Sequence, residues 1–205
     1  GIADEFADGT GVDATASLNE TYDATGDYYH NRGTPSAELI PTMTSDTAPS
    51  GVASASSAIN PAFHAFNDAS GDSNKWAGPV GGGWVQYDFG ASNEKTIQQY
   101  TLQDANRGDT TMTSKDWTIS ASNTGAFAGE EAVLDTQAGI DDWTLNEVKT
   151  FNFANGVAYR YWRMTITANN GHISNVSVGE LDMMEMGVSS NMTIISETFT
   201  AETAP

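Results

Sequence analysis

Short runs in which apolar residues return at every second position, each closed by Gly, Asn, Asp or Ser, constrain this chain more than any other feature. Val85, Tyr87 and Phe89 alternate with Trp84, Gln86 and Asp88, and Trp117, Ile119 and Ala121 alternate with Thr118, Ser120 and Ser122. Phe151 and Phe153 flank Asn152; Trp162, Met164 and Ile166 oppose Tyr161, Arg163 and Thr165; Val176, Val178 and then Leu181 continue the pattern. Successive side chains of a strand point to opposite faces, so each run has one apolar face to bury. No comparable stretch holds the roughly 3.6-residue period of a helix. Frequent turn signals between short runs indicate an all-β sandwich or jelly roll rather than a parallel α/β sheet. Trp76, Trp84, Trp117 and Trp162 lie in or beside these runs, so burial is expected of them before any role as a stacking platform. Trp143, in an acidic stretch, stands outside the pattern.

The texture changes along the chain. Residues 1–49 are acidic, small and polar, with Arg32 as their only basic residue. Their apolar content (Phe6, Val12, Leu18, Tyr28, Tyr29, Leu39, Ile40) suffices for edge strands but not for a core, so an arm or linker leaning on a neighbour is expected. Residues 50–187 carry the alternation and form the expected domain. Residues 188–205, with the strand-like run 192–196, read as the start of a following module, and the whole reads as an excerpt from a longer polypeptide. No internal repeat of solenoid or propeller length is present.

Charge narrows the possible partners. Of 205 residues, 8 are Lys or Arg and 27 are Asp or Glu, a formal net charge of −19. Nucleic-acid affinity comes from cationic side chains that displace counterions, so such a chain is excluded as a nucleic-acid binder, and anionic membrane surfaces are disfavoured for the same reason. No run approaches the roughly 20 apolar residues that span a bilayer as a helix, so no membrane insertion is expected. Without cysteine there is no disulfide framework, thiolate nucleophile or thiolate metal site.

Catalytic constellations are missing. His30, His64 and His172 fall in three separate loop-like contexts, and neither zinc-ligand spacing nor a nucleophile on a strained turn accompanies them. Glu130-Glu131 and Asp141-Asp142 are adjacent acids that diverge on polar loops, and are read as solvated rather than as a glycosidase pair. A non-enzyme is expected. The oxygen-rich loop of residues 64–76 says more: it gathers Asn67, Asp68, Asp72 and Asn74 around Gly71. Calcium takes six to eight oxygen ligands, so a bent loop of this kind can hold it if a distant carboxylate completes the shell; an ordinary polar turn is the alternative, and EF-hand spacing is absent.

Five strings in order are similar to the discoidin domain, also called the coagulation factor 5/8 type C domain, whose bacterial relatives form carbohydrate-binding module family 32. They are Ala65-Phe66-Asn67-Asp68 leading to Trp76, Trp84-Val85-Gln86-Tyr87-Asp88-Phe89-Gly90, Asp116-Trp117-Thr118-Ile119-Ser120-Ala121-Ser122-Asn123, Tyr159-Arg160-Tyr161-Trp162-Arg163-Met164, and Gly179-Glu180-Leu181. The resemblance implies an eight-stranded antiparallel jelly-roll β-sandwich and a non-catalytic carbohydrate-binding function. It also implies a structural Ca2+ ion. By position its ligands fall on the carbonyl of His64, the side chains of Asn67 or Asp68, Asp72 and Asn74, and Glu180 with the carbonyl of Gly179. Asn67 stands where the family prefers Asp and the loop is slightly longer, with Asp68 available to restore the charge. The resemblance places ligand-binding loops at 58–63, 106–111 and 169–174, with Phe63, Asn106, Arg107, Asp109, Asn170 and His172 as the candidate contacts to a glycan. Arg107-Gly108-Asp109 is read as turn chemistry, not as an adhesion tripeptide.

The flanks resemble segments of large virion proteins of tailed phages, in residues 4–13, 22–29 and 191–201. That resemblance implies a virion or extracellular location, within a fibre or spike that recognises cell-surface polysaccharide, with other virion or fibre subunits as partners. The rival expectation is a purely structural decoration or subunit-contact domain. An accessory module of a glycoside hydrolase comes third. A lipid-binding role, with Ile59 and Phe63 as apolar spikes, ranks last for want of surrounding cations.

Overall fold

Each alternating run becomes a strand because a partner lies in register beside it. The computed structural model describes residues 20–23, 28–31, 34–57, 59–105 and 108–187. It divides into two units, one of residues 1–36 with 186–205, the other Ala37–Glu185. In the first, β1 (Glu20–Asp23) pairs antiparallel with β2 (Tyr28–Asn31), so His30 falls in a strand rather than a loop. Pro35 bridges Met186, and the Gly187 amide donates to Thr34 O at 2.8 Å. The phage-like string 4–13 and the run 192–196 lie outside the described residues.

Among the described residues the second unit contains ten strands: β3 (Val52–Ala55), β4 (Trp76–Pro79), β5 (Gly83–Asp88), β6 (Ile97–Gln103), β7 (Ser114–Ser122), β8 (Ala132–Gln137), β9 (Val148–Asn152), β10 (Tyr161–Asn169), β11 (Asn175–Val178) and β12 (Glu180–Glu185). One 3-10 turn spans Ala62–Ala65. The larger sheet runs β3-β5-β10-β7-β8, the smaller β12-β6-β9, and β4 pairs with β11 apart from both. Where the resemblance implies eight strands, this short separate ladder adds to the count.

Register turns the alternation into a core. Trp162 lies opposite Tyr87 on one side and Ala121 on the other, and Met164 opposite Val85 and Ile119. All six are essentially inaccessible, as are Leu102, Tyr100, Leu181 and Met183 of the facing sheet. The layers meet through aromatics: Trp117 packs edge-on against Phe151 at 5.2 Å, and its indole N–H donates to the Tyr100 hydroxyl at 2.8 Å. That hydroxyl donates in turn to Asp135 Oδ2 at 2.7 Å, so a buried polar atom is satisfied at both ends. Trp76, Trp117 and Trp162 are buried as expected; Trp143 is also buried, its indole donating to Ser114 O at 2.9 Å. Trp84 is half-exposed and carries the Arg163 guanidinium 3.9 Å above its ring, with Phe127 3.8 Å from the same guanidinium.

Residues 37–49, grouped by composition with the acidic arm, lie within this unit and bury Ile40 and Met43. The Leu39 amide donates to Met183 O at 3.0 Å and the Met43 amide to Phe66 O at 2.8 Å. Two anchors around a proline are too few to register as a periodic run, which is why composition misses them.

Candidate functional site

At the start of β12 the strand period separates Leu181, which enters the core, from Glu180 and Asp182, which share the other face. Glu180 is nevertheless only 5% exposed. Its Oε2 accepts the Asn67 amide at 3.2 Å, while Oε1 is buried with no hydrogen-bond partner. Asp182 accepts the Thr101 hydroxyl at 2.7 Å. Asp68, in the left-handed region at φ 54°, accepts the Thr42 hydroxyl. Glu38 completes the group: Glu38, Asp68, Glu180 and Asp182 each offer a ligand atom, all within 4.8 Å of one another.

Four carboxylates this close cannot all stay charged without compensation. Burial, followed by Asp182 and Glu38, pushes Glu180 up to about 9, and burial with Asp182 and Asp68 pushes Glu38 up to about 8. Asp182 is raised chiefly by burial. Protons or a hard cation must hold the group together. Calcium–oxygen distances of about 2.3–2.6 Å place ligands on opposite sides of one ion about 5 Å apart, a span this cluster meets. The orphaned Oε1 of Glu180 is the atom a cation would satisfy, so the residues present fit calcium.

The structure brings together Asp68 and Glu180 of the expected metal set, with Asn67 alongside through its backbone. Asn67 Oδ1 accepts the Ala69 amide at 3.2 Å, which shapes the turn. Gly179 precedes Glu180 where a Cβ would lie 2.6 Å from Asp104 O, so glycine is demanded by close backbone approach. His64 sits on the 3-10 turn, with Nδ1 buried and unpartnered. Asp72 is outside the group of four: its carbonyl and carboxylate both accept the ammonium of buried Lys75. Asn74 closes its own turn through Gly71 O at 2.9 Å. Sequence reasoning missed Glu38 and Asp182. The Glu-x-Asp spacing on one strand face was a usable signal for Asp182; nothing in the sequence connects Glu38 to either.

The ligand loops are built differently. Asn106 and Arg107 lie outside the described residues. Asp109 is exposed and accepts the Thr111 amide at 2.9 Å and hydroxyl at 2.5 Å. The His172 amide donates to Thr111 O at 3.1 Å, so the two loops adjoin. His172 Nδ1 accepts the amides of Ser174 at 3.3 Å and Asn175 at 3.1 Å, and the Asn170 amide group donates to Thr113 O at 3.1 Å and Ile140 O at 3.3 Å. Asp109, Asn170 and His172 therefore stand on adjoining loops. Phe63 stands edge-on to His64 at 4.3 Å, and its backbone amide donates to Asp46 Oδ1 at 2.9 Å. Ile173, 92% exposed at the loop tip, was not anticipated.

A hydrogen-bonded path links the two regions. The Ser70 hydroxyl donates to Asn146 Oδ1 at 2.7 Å, and the Asn146 amide to Asp104 Oδ2 at 2.9 Å. Asp104 also accepts the Thr113 hydroxyl, and the Thr113 carbonyl takes Asn170. The adjacent acids are not merely solvated as expected: Glu130 gathers the hydroxyls of Ser122 and Thr124 and the amides of Phe127 and Ala128. Asp141 and Asp142 pair with Lys115 at 3.3 Å and Lys149 at 3.1 Å. Glu130 thus organises its turn, while Asp141 and Asp142 stay largely solvated in exposed ion pairs.

Fold and site together define an antiparallel β-sandwich with an acidic cluster beside its last strand and adjoining polar loops. The chain belongs to the F5/8 type C domain family, whose profile matches residues 47–181. No curated protein matches it in sequence. Solved structures share the fold at low identity. The family 32 carbohydrate-binding module of Clostridium perfringens NanJ, in complex with galactose, is 18% identical with a TM-score of 0.51, covering 66% of this chain and 93% of that one. A second C. perfringens family 32 module, in complex with GalNAc-β-1,3-galactose, is 15% identical with a TM-score of 0.53, covering 66% and 95%. The lectin domain of lectinolysin, complexed with Lewis b antigen, is 16% identical with a TM-score of 0.54, covering 70% and 99%.

Proposed function

We propose that this chain is a non-catalytic glycan-binding module, stabilised by calcium, that serves adhesion as part of a larger extracellular or virion fibre or spike protein. The observation that carries the reading is the F5/8 type C sandwich with Asp109, Asn170 and His172 gathered on adjoining loops, in a fold shared with modules solved with galactose, GalNAc-β-1,3-galactose and Lewis b. Polar groups held by a bonded loop suit the hydroxyls of a sugar, with little ordering left to occur on binding. Asn106 and Arg107 belong to the same proposed site by sequence position, and Phe63 is the proposed aromatic face.

Calcium would be held by the carboxylates of Asp68 and Glu180, with oxygens of His64, Asn67, Asn74 and Gly179 as the further donors the family resemblance suggests; Asp72, which the resemblance also suggests, is given to Lys75 instead. It would supply the positive charge that keeps the loop of residues 66–74 against β12. The phage reading rests on the flanking strings alone.

Single-site affinity for such a shallow site is weak, and multivalent display raises it. The test is a broad glycan array probed with multivalent protein in calcium; signal on galactose-containing glycans is expected, and a blank array sinks the reading. One observation favours the rival subunit-contact role: the side-chain nitrogen of Asn170 is spent on the carbonyls of Thr113 and Ile140, and the Nδ1 of His172 on the amides of Ser174 and Asn175. A blank array with self-association of the purified chain is the outcome that role requires.

A further inference from the structure

Two of the four clustered carboxylates, Glu38 and Asp182, lie outside the 47–181 span of the family profile. Glu38 sits on the segment that leads into the sandwich and Asp182 on its last strand, while Asp68 comes from the loop before Trp76. We infer that one divalent cation is shared by these three pieces of chain, with Glu38 and Asp182 among its ligands, and that it fastens the lead-in segment of residues 37–43 to β12. The inference rests on the calcium reading above and adds to it which residues complete the shell and what the ion holds down.

Several observations bear on it independently. The four ligand atoms lie within 4.8 Å of one another, the span of one hard-cation shell. Glu180, one of the four, is 5% exposed, and its Oε1 is buried and unpartnered. The lead-in segment is already aligned: the Leu39 amide donates to Met183 O at 3.0 Å, one residue along from Asp182, and Thr42 donates to Asp68. Those contacts hold the backbone in place but bring like charges face to face. Setting Glu38 against the other three carboxylates costs either their mutual repulsion or the uptake of protons, and a dication among them removes that cost. Ile40 and Met43, on the same segment, are buried in the core.

The experiment uses the full chain. Amide hydrogen exchange over residues 37–43 is followed with calcium and with chelator, and calcium affinity is measured for wild type, Glu38→Gln and Asp182→Asn. Calcium is expected to slow exchange of the Leu39 amide at least tenfold in wild type, and each variant to bind calcium at least tenfold more weakly. If calcium binds wild type yet leaves exchange over 37–43 unchanged, or binds both variants as tightly as wild type, the shared-cation inference is overturned while the calcium site stands. If wild type binds neither calcium nor the luminescent ion Tb3+, the calcium reading fails and this inference with it. The wild-type exchange comparison decides the matter even if a variant does not fold.

Discussion

The acidic cluster and the ligand loops are both polar, yet they differ in how their atoms are satisfied. In the loops, Asp109, Asn170 and His172 each bond to backbone groups of their own or the neighbouring loop. The cluster instead presents acids to acids, and Glu180 Oε1 has nothing to accept. A region whose polar groups satisfy one another is complete as folded; a region that leaves a buried carboxylate oxygen bare is complete only with something added. The loops are thus a preformed surface, and the cluster is a socket.

The largest expected effect comes from filling that socket. Calcium at a hundredfold excess over its Kd stabilises the fold by about 2.7 kcal/mol, or roughly 5–11 °C in a chain of this size. Differential scanning calorimetry with calcium and with chelator measures it, and Glu180→Gln should abolish the difference. Next is the backbone beneath it. Gly179→Ala forces a Cβ onto Asp104 O and should cost about 1–3 kcal/mol with or without calcium, read by urea unfolding.

The third effect is a pH dependence whose sign follows from the raised carboxyls. Glu180 at about 9 and Glu38 at about 8 bind protons in the folded chain that the unfolded chain, titrating near 4.5, releases. Without cation, stability is therefore greatest below about pH 4.5 for these groups and falls as pH rises toward 9; with calcium the fall should flatten. Parallel curves in calcium and in chelator would show that the ion sits elsewhere.

In the loops, Asn170→Ala removes the side-chain donor to the Ile140 and Thr113 carbonyls, of which Thr113 O keeps the Asn170 backbone amide, and should cost about 1 kcal/mol, with glycan binding falling more than stability does. The smallest effect separates the acids from one another: Asp72→Asn should leave calcium affinity within about twofold of wild type, while Asp68→Asn lowers it about tenfold or more. Equal losses would return Asp72 to the shell.

The alternating strands were legible because burial of one strand face writes itself as a period of two, and Val85 to Asp88, Trp117 to Ala121 and Trp162 to Ile166 all pair in one sheet. Glu180 and Asp68 were legible through the family strings around them. Glu38 was not, because the contact that matters joins a lead-in segment to the last strand, and no local pattern encodes a pairing across the whole domain. Asp182 sat in plain view two residues after Glu180, but a lone acid on a strand reads as solvent-facing. The inward bonding of Asn170 and His172 also escaped, since polar loops look alike until their carbonyls are placed.

Tyr100 carries one more consequence. Its hydroxyl stands between the two sheets, taking a bond from Trp117 and giving one to Asp135, and burial with the nearby carboxylate drives its ionisation far above the ordinary phenol range. In alkali its phenolate can therefore form only once the layers part. Among the tyrosines of residues 37–185 it should be the last to change its ultraviolet absorbance, appearing together with loss of the near-ultraviolet dichroism of the core, which makes this one ring an internal alarm for the opening of the sandwich.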